Sequence, residues 1–82
     1  MLAIKWNWKK DDYETYRIPL DWNCKLYSDN MNEKINCVQC GKIIKYGDSY
    51  SSLEIHNEVG LAYPICEKCY EKEWRNRRKY KK

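Results

Sequence analysis

The 82-residue sequence predicts a small α+β zinc-stabilised domain in which antiparallel β-hairpins precede one C-terminal α-helix. Three observations support this prediction. Residues 2–9 alternate between apolar and polar side chains, residues 67–78 have a helix-forming composition, and four cysteines form two Cys-x-x-Cys pairs. A chain of this length buries only about 60–65% of the surface that it exposes when unfolded. Small domains of this kind often gain the missing stability from a metal ion.

The N-terminal residues predict a β-hairpin. A period of two over residues 2–9 is typical of a half-buried strand, and one side of this strand carries Leu2, Ile4, Trp6 and Trp8. The charged residues 9–12 predict a turn. A second extended segment follows, in which the alternating residues are Tyr16, Ile18, Leu20 and Trp22. Pro19 lacks a backbone donor, so we expect this segment at the edge of a sheet.

The C-terminal half predicts a second hairpin and a helix. A short strand at 42–45, a turn at 46–49 and a return strand at 50–55 form the hairpin. A turn at 56–60 leads to an alternating segment at 61–65. We predict a helix at 67–78, because this segment has a helix-forming composition and contains no glycine or proline.

The order of charges along the helix also fits a helical segment. Its acids Glu67, Glu71 and Glu73 come early and its cations late, as the helix dipole favours.

We divide the chain into an N-terminal β-hairpin extension at 1–34, a four-cysteine zinc module at 35–76 and a basic tail at 77–82. These parts are expected to form one compact domain overall.

The two Cys-x-x-Cys pairs predict a metal site with Zn as cofactor. Their residues are Cys37 and Cys40, then Cys66 and Cys69 after an interval of 25 residues. Each pair can aim two sulfurs at a point about 2.3 Å away, and two pairs complete a tetrahedral thiolate shell. Disulfides fit a reduced compartment poorly. An iron–sulfur cluster is the minor alternative, because four cysteines also suit it.

Other candidate ligands and catalytic groups carry weaker signals. We expect Cys24 to be a buried thiol and His56 to be a surface histidine in a turn, since four better-spaced sulfurs fill the shell. A closed thiolate shell has no position for a catalytic water. The sequence contains no recognisable nucleophile–base motif or phosphate-binding glycine loop. We therefore expect a protein that is not an enzyme.

Charge is distributed unevenly along the chain. The last eight residues hold six of the sixteen Lys/Arg and no acid, so the net charge of +4 leaves −2 for residues 1–74. This tail is either a phosphate-binding segment or a solvated helix end, with the cations Arg75, Arg77, Arg78, Lys79, Lys81 and Lys82. No apolar run is long enough for a membrane span or a signal peptide. The expected location is cytoplasmic.

The aromatic residues suggest a binding surface. The chain has eight tyrosines and four tryptophans but no phenylalanine, and Tyr and Trp are enriched where proteins bind one another. We expect a protein partner and a monomer or weak dimer, with Trp6, Trp8, Trp22, Tyr50 and Trp74 as the partner-binding residues. Nucleic-acid binding through the basic tail, in transcription or replication, is the alternative function.

Residues 35–76 resemble the treble-clef class of zinc fingers. The resemblance rests on Cys37, Cys40, Gly41, Cys66 and Cys69, and it implies a metal-binding knuckle, a hairpin and a helix that carries the second pair. Treble clefs bind proteins, nucleic acids and small ligands, so this resemblance addresses fold rather than function. In size, composition and metal site the chain also resembles zinc-binding anti-CRISPR proteins of phages. That second resemblance implies an inhibitor that binds a Cas9-type nucleoprotein.

Overall fold

The computed structural model describes residues 1–80, which form two antiparallel sheets and one C-terminal helix. The larger sheet has the strand order β2-β1-β5-β6, and the smaller sheet pairs β3 with β4. The elements are β1 (Leu2–Asn7), β2 (Asp12–Arg17), β3 (Lys34–Asn36), β4 (Ile43–Lys45), a 3-10 turn (Tyr46–Asp48), β5 (Tyr50–His56), β6 (Ala62–Ile65) and α1 (Glu67–Tyr80). The predicted small α+β class is confirmed.

The N-terminal hairpin joins the rest of the domain in one sheet. Its turn is held by the Asn7 side-chain oxygen, which accepts hydrogen bonds from the backbone N–H groups of Lys9 and Lys10. Asp11 completes the turn at a φ of 55°. β1 pairs with β2 on one side and with β5 on the other. The first and second halves of the chain therefore share a continuous sheet.

The second strand of this hairpin lies earlier than predicted. It ends at Arg17, before Pro19, and the predicted alternation over 16–22 does not form a strand. Ile18 turns into the core, whereas Leu20 is 90% exposed. The physical reason is that the turn closes at Asp12. Residues 12–17 then pair with the whole length of β1, so β2 ends before the proline.

The two faces of β1 have unequal burial. Residues that face each other across an antiparallel pair project from the same side of the sheet. Ala3 therefore shares the inner side with Tyr16, and it is buried in the core. Ile4 and Trp6, which pair with Thr15 and Tyr13, share the opposite side. The bulky apolar residues of β1 thus lie on the outer face of the sheet.

The hairpin predicted between 42–45 and 50–55 is wrong in its pairing. β4 pairs with β3 across the first cysteine pair, and β5 pairs with β1 and β6. The 3-10 turn separates β4 from β5. Its backbone N–H groups at Tyr46 and Gly47 donate to the carbonyls of Glu33 and Met31, which directs the chain away from a tight hairpin.

The core lies between the larger sheet and the cysteine-containing segments. Its buried members include Ile18, Val38, Ile55, Tyr63 and Ile65, together with three of the cysteines. The helix continues to Tyr80, so residues 77–80 of the predicted tail belong to its last turn. Lys81 and Lys82 lie outside the described residues. Within residues 1–80, no helix has the length and apolar character required to cross a membrane.

Candidate metal centre

Two separate elements bring the four predicted cysteines together. Cys37 and Cys40 lie in the turn between β3 and β4, and Cys66 and Cys69 lie at the start of α1. The four sulfur atoms all lie within 4.8 Å of one another. The cluster is mostly enclosed, with Cys37 and Cys66 buried and Cys40 exposed. These sulfurs are positioned to bind a metal ion.

The spacing of the sulfurs fits a tetrahedral thiolate shell. Zinc binds cysteine sulfur at about 2.3 Å, and a tetrahedron of that radius has edges of about 3.8 Å. The sulfurs of Cys40 and Cys66, which come from different elements, are 3.8 Å apart. A sulfur pair at that separation can share an ion without a bond between them. All four cysteines are free thiols.

Backbone hydrogen bonds of Cys37 hold the first cysteine turn. The Gly41 N–H donates to the Cys37 carbonyl, and the Cys37 N–H donates to the Lys42 carbonyl, so the turn is closed at both ends. Gly41 has a φ of +79°, a conformation that favours glycine. The ring of Trp22 lies directly against Gly41, where a Cβ would overlap it.

Burial raises the pKa values of these thiols, and backbone hydrogen bonds oppose that rise at Cys37 and Cys66, whereas side-chain hydrogen bonds add to it at Cys69. Burial raises the pKa of Cys37, although backbone N–H groups of Cys66, Cys40 and Gln39 that donate to its sulfur oppose the rise. Burial also raises the pKa of Cys69. At Cys66 burial acts upward too, but hydrogen bonds from the backbone and thiol of Cys69 and from neighbouring thiols produce a lowered pKa. A divalent cation would favour the ionised form of all four.

A buried polar network ties the first cysteine turn to the sheet and the helix. Gln39, between Cys37 and Cys40, donates from Nε2 to Glu54 at 2.9 Å and to Glu73 at 2.8 Å. Its Oε1 accepts a hydrogen bond from the Lys5 ammonium at 3.2 Å. Glu54 also accepts from the Trp8 indole N–H at 2.6 Å. One side chain of the cysteine turn therefore contacts β1, β5 and α1 through their polar groups.

Glu73 is the most buried member of this network, with 1% of its surface exposed. It accepts hydrogen bonds from the Ser52 hydroxyl and from the Leu53 backbone N–H, in addition to Gln39. Burial raises the pKa of Glu73, and these hydrogen bonds limit the rise. The carboxylate thus anchors the helix to β5.

Sequence reasoning missed this anchor. It placed Glu73 only among the early acids that the helix dipole favours. The available signal was helical spacing, because Glu73 lies three and four residues after Tyr70 and Cys69 and so shares their face. An acid on the same face as a metal-binding cysteine and a half-buried tyrosine is expected to be enclosed.

The predicted partner-binding aromatics lie in three places. Trp6 is on the outer face of the sheet and packs edge-to-face against Trp8 and Tyr13. Trp22 packs against the core beside Gly41. The remaining two lie beside the helix, where Tyr50 stacks on Tyr70 and Trp74 lies edge-on to Tyr70.

The structure also gives the positions of the predicted basic residues and of Cys24 and His56, the two residues predicted not to bind the metal. Arg75, Arg77, Arg78 and Lys79 occupy the second half of α1. Cys24 is buried outside the four-sulfur cluster, which confirms the buried-thiol prediction, and burial raises its pKa to about 11. His56 ends β5 rather than lying in a turn, and it packs edge-on against Tyr13.

Comparison with known proteins gave no assignment. No family model, curated protein or solved structure matches this chain.

Proposed function

We propose that this protein is a non-enzymatic docking module, stabilised by zinc, that binds a partner protein through the outer face of its larger sheet. We define the outer face as Leu2, Ile4, Trp6, Tyr13 and His56. The burial pattern of β1 carries the proposal, because its large apolar residues face away from the core. The metal has a structural role in this account.

Zinc is the proposed ion because four cysteine thiolates are a ligand set typical of structural zinc sites. We further propose a treble-clef arrangement. It is supported by the order of elements around the cysteines: a cysteine turn between β3 and β4, the β5–β6 hairpin, and then a helix whose start carries Cys66 and Cys69.

The outer face has the character of a protein-binding surface. Leu2 is 55% exposed and Tyr13 is 50% exposed, while Ile4 and Trp6 are half-buried. A contiguous apolar patch of this kind on a small protein commonly marks an interaction site. The matching inner face is filled by Ala3, Tyr16 and Ile55. The fold therefore places the larger apolar side chains of β1 where a partner can cover them.

The edge of the sheet next to this face can add a strand from the partner. Met1 and Ile18 exchange two backbone hydrogen bonds, which fixes the alternation along β2. The N–H and C=O groups of Thr15 and Arg17 and the C=O of Tyr13 consequently point away from β1, whereas the Tyr13 N–H donates to the Asp12 side chain. A partner strand that pairs with them would extend the sheet and cover the outer face at the same time.

The test is capture of a partner by two matched double variants of the tagged full chain. We expect Leu2→Lys with Tyr13→Lys to lose the partner that the wild-type protein retains in nuclease-treated lysate. Leu20→Lys with Val59→Lys is the control, because both leucine and valine are exposed but lie off the outer face. Retention by the first variant, or equal loss by both, would contradict the proposal.

A more specific form of the proposal concerns the class of partner. The resemblance in size, composition and metal site to zinc-binding anti-CRISPR proteins suggests an inhibitor that occludes a Cas9-type nucleoprotein. Direct binding to a purified nucleoprotein of that class, with the same two double variants, tests this form. Binding that requires only its nucleic-acid component would exclude docking on the protein.

A further inference from the structure

The second half of α1 presents a cationic surface. On the helix circumference, Arg75 and Arg78 lie beside Trp74, and Lys72 and Lys79 continue the same exposed side. Glu73, the one acid from residue 72 to residue 80, is buried on the opposite side. Within residues 1–80, no ion pair involves a helix cation, since the two ion pairs are Lys10–Glu14 and Lys25–Glu33. The charge is therefore available to a ligand.

Aromatic rings line one border of this cationic surface. Tyr50 stacks on Tyr70 with the ring centroids 4.7 Å apart and the planes at 16°. Trp74 lies edge-on to Tyr70 at 6.2 Å. Tyr50 is 41% exposed, so part of its ring is accessible. A flat ring that is already stacked on one side can accept a second flat group on the other.

A shallow concavity of about 580 Å³ lies where the rings of Tyr70 and Trp74 meet the guanidinium groups, next to the Tyr50 ring that stacks on Tyr70. It is lined by Tyr70, Glu71, Trp74, Arg75 and Arg78. Glu71 is the single acid of this lining, and the two arginines outweigh its charge. The combination of aromatic side chains with arginines suits a ligand that has planar groups joined by anionic groups.

We propose that this surface binds single-stranded nucleic acid, with phosphates on Arg75, Arg78 and the adjacent lysines and with bases stacked beside Tyr50 and Trp74. A single strand is favoured over a duplex because stacking on protein aromatics requires bases that are free of their own stack. This surface is separate from the groove beside Trp6, Trp8 and Tyr13. Arg77 lines that groove, whereas Arg75 and Arg78 do not. This activity goes beyond the protein-docking function proposed above and uses a different surface.

The test measures fluorescence anisotropy of a labelled oligo(dT) of about 15 nucleotides with the full chain over a range of salt concentrations. Each phosphate contact on a single strand contributes about −0.7 to the slope of log affinity against log salt. Contacts from Lys72, Arg75, Arg78 and Lys79 give an expected slope of about −2.8. Arg75→Gln with Arg78→Gln should reduce its magnitude by about 1.4.

Three further variants separate charge from stacking. Tyr50→Leu should weaken affinity about ten-fold without a change in the salt slope, because stacking does not release counterions. Glu71→Gln should strengthen binding, since it removes the one acid of the concavity. Lys34→Gln with Lys45→Gln removes two charges from the β3–β4 sheet and should leave the binding of the oligonucleotide unchanged.

Four results would overturn the proposal. The first is no binding of the oligonucleotide at low salt, and the second is an equal loss of affinity in the arginine variant and the Lys34/Lys45 control. The third is binding to a duplex of equal length that is as tight as binding to the single strand. The fourth is equal competition by a polyglutamate peptide. The last result would identify an acidic protein segment as the ligand. Circular dichroism of every variant distinguishes loss of the fold from loss of the binding surface.

Discussion

At the scale of single residues, the metal centre depends on a glycine and a tryptophan that do not bind metal. Gly41 follows the second cysteine of the turn and has a positive φ. Trp22 fills the space beside it, where a Cβ would overlap the ring. Trp22 was predicted as a partner-binding residue, and the structure places it against the core. The tryptophan thus supports the backbone that aims Cys37 and Cys40.

Gly41→Ala tests this arrangement. We expect a loss of about 2–4 kcal/mol in the free energy of unfolding, because alanine is strained at this φ and its methyl group displaces Trp22. Gly60→Ala is the matched control. Gly60 also has a positive φ, +90°, but has no atom within 4 Å of a Cβ, so we expect a loss of about 1 kcal/mol. Equal losses in urea unfolding would contradict the role assigned to Trp22.

At the scale of elements, the helix is attached by a buried carboxylate as well as by apolar contacts. Glu73 receives hydrogen bonds from β5 and from the cysteine turn through Ser52, Leu53 and Gln39. Burying a charge is costly, and the cost is reduced here because the oxygens have several donors. The same contacts connect the two halves of the metal centre, since Gln39 belongs to one cysteine turn and α1 carries the other pair.

Glu73→Ala should destabilise the fold by about 3 kcal/mol or more, since it leaves several enclosed donors without an acceptor. Glu71→Ala on the exposed side of the same helix is the control, and we expect a change within about 0.5 kcal/mol. Urea unfolding of both variants measures the difference. A loss for Glu73→Ala as small as that of the control would show that the carboxylate does not anchor α1.

The elements differ in how well the sequence predicts them. The helix and the four-cysteine cluster were predictable, because helix composition and Cys-x-x-Cys spacing are local signals. Strand pairing was not, since β4 and β5 have the expected positions but do not pair with each other: β4 pairs back with β3, and β5 pairs with β6 and with the distant β1. The Gln39–Glu73 contact is likewise non-local, joining residues 34 positions apart. Local patterns cannot specify which of several strands a segment pairs with.

At the scale of the whole molecule, one sheet and one cluster join the N-terminal and C-terminal halves. The hairpin of β1 and β2 adds to β5, and the cysteines join β3, β4 and α1. The core between them is small, and three of its buried side chains belong to the cysteines Cys24, Cys37 and Cys66. A metal ion in the cluster would therefore contribute a large share of the stability of a domain of this size.

The two proposed binding surfaces lie on different elements of the molecule. The outer face of the sheet is apolar, and the second half of α1 is cationic. Arg77 connects them, because it lies 5.0 Å from the ring centroid of Trp74 and lines the groove beside Trp6. A protein partner and a nucleic acid could therefore occupy neighbouring positions.

The central claim is that the four cysteines hold one zinc ion, and elemental analysis of the purified full chain tests it most directly. We predict one zinc per chain in the wild-type protein and in Cys24→Ser, whose thiol lies outside the cluster. Cys37→Ser should reduce the zinc content. A wild-type content well below one zinc per chain, or iron in its place, would contradict the account.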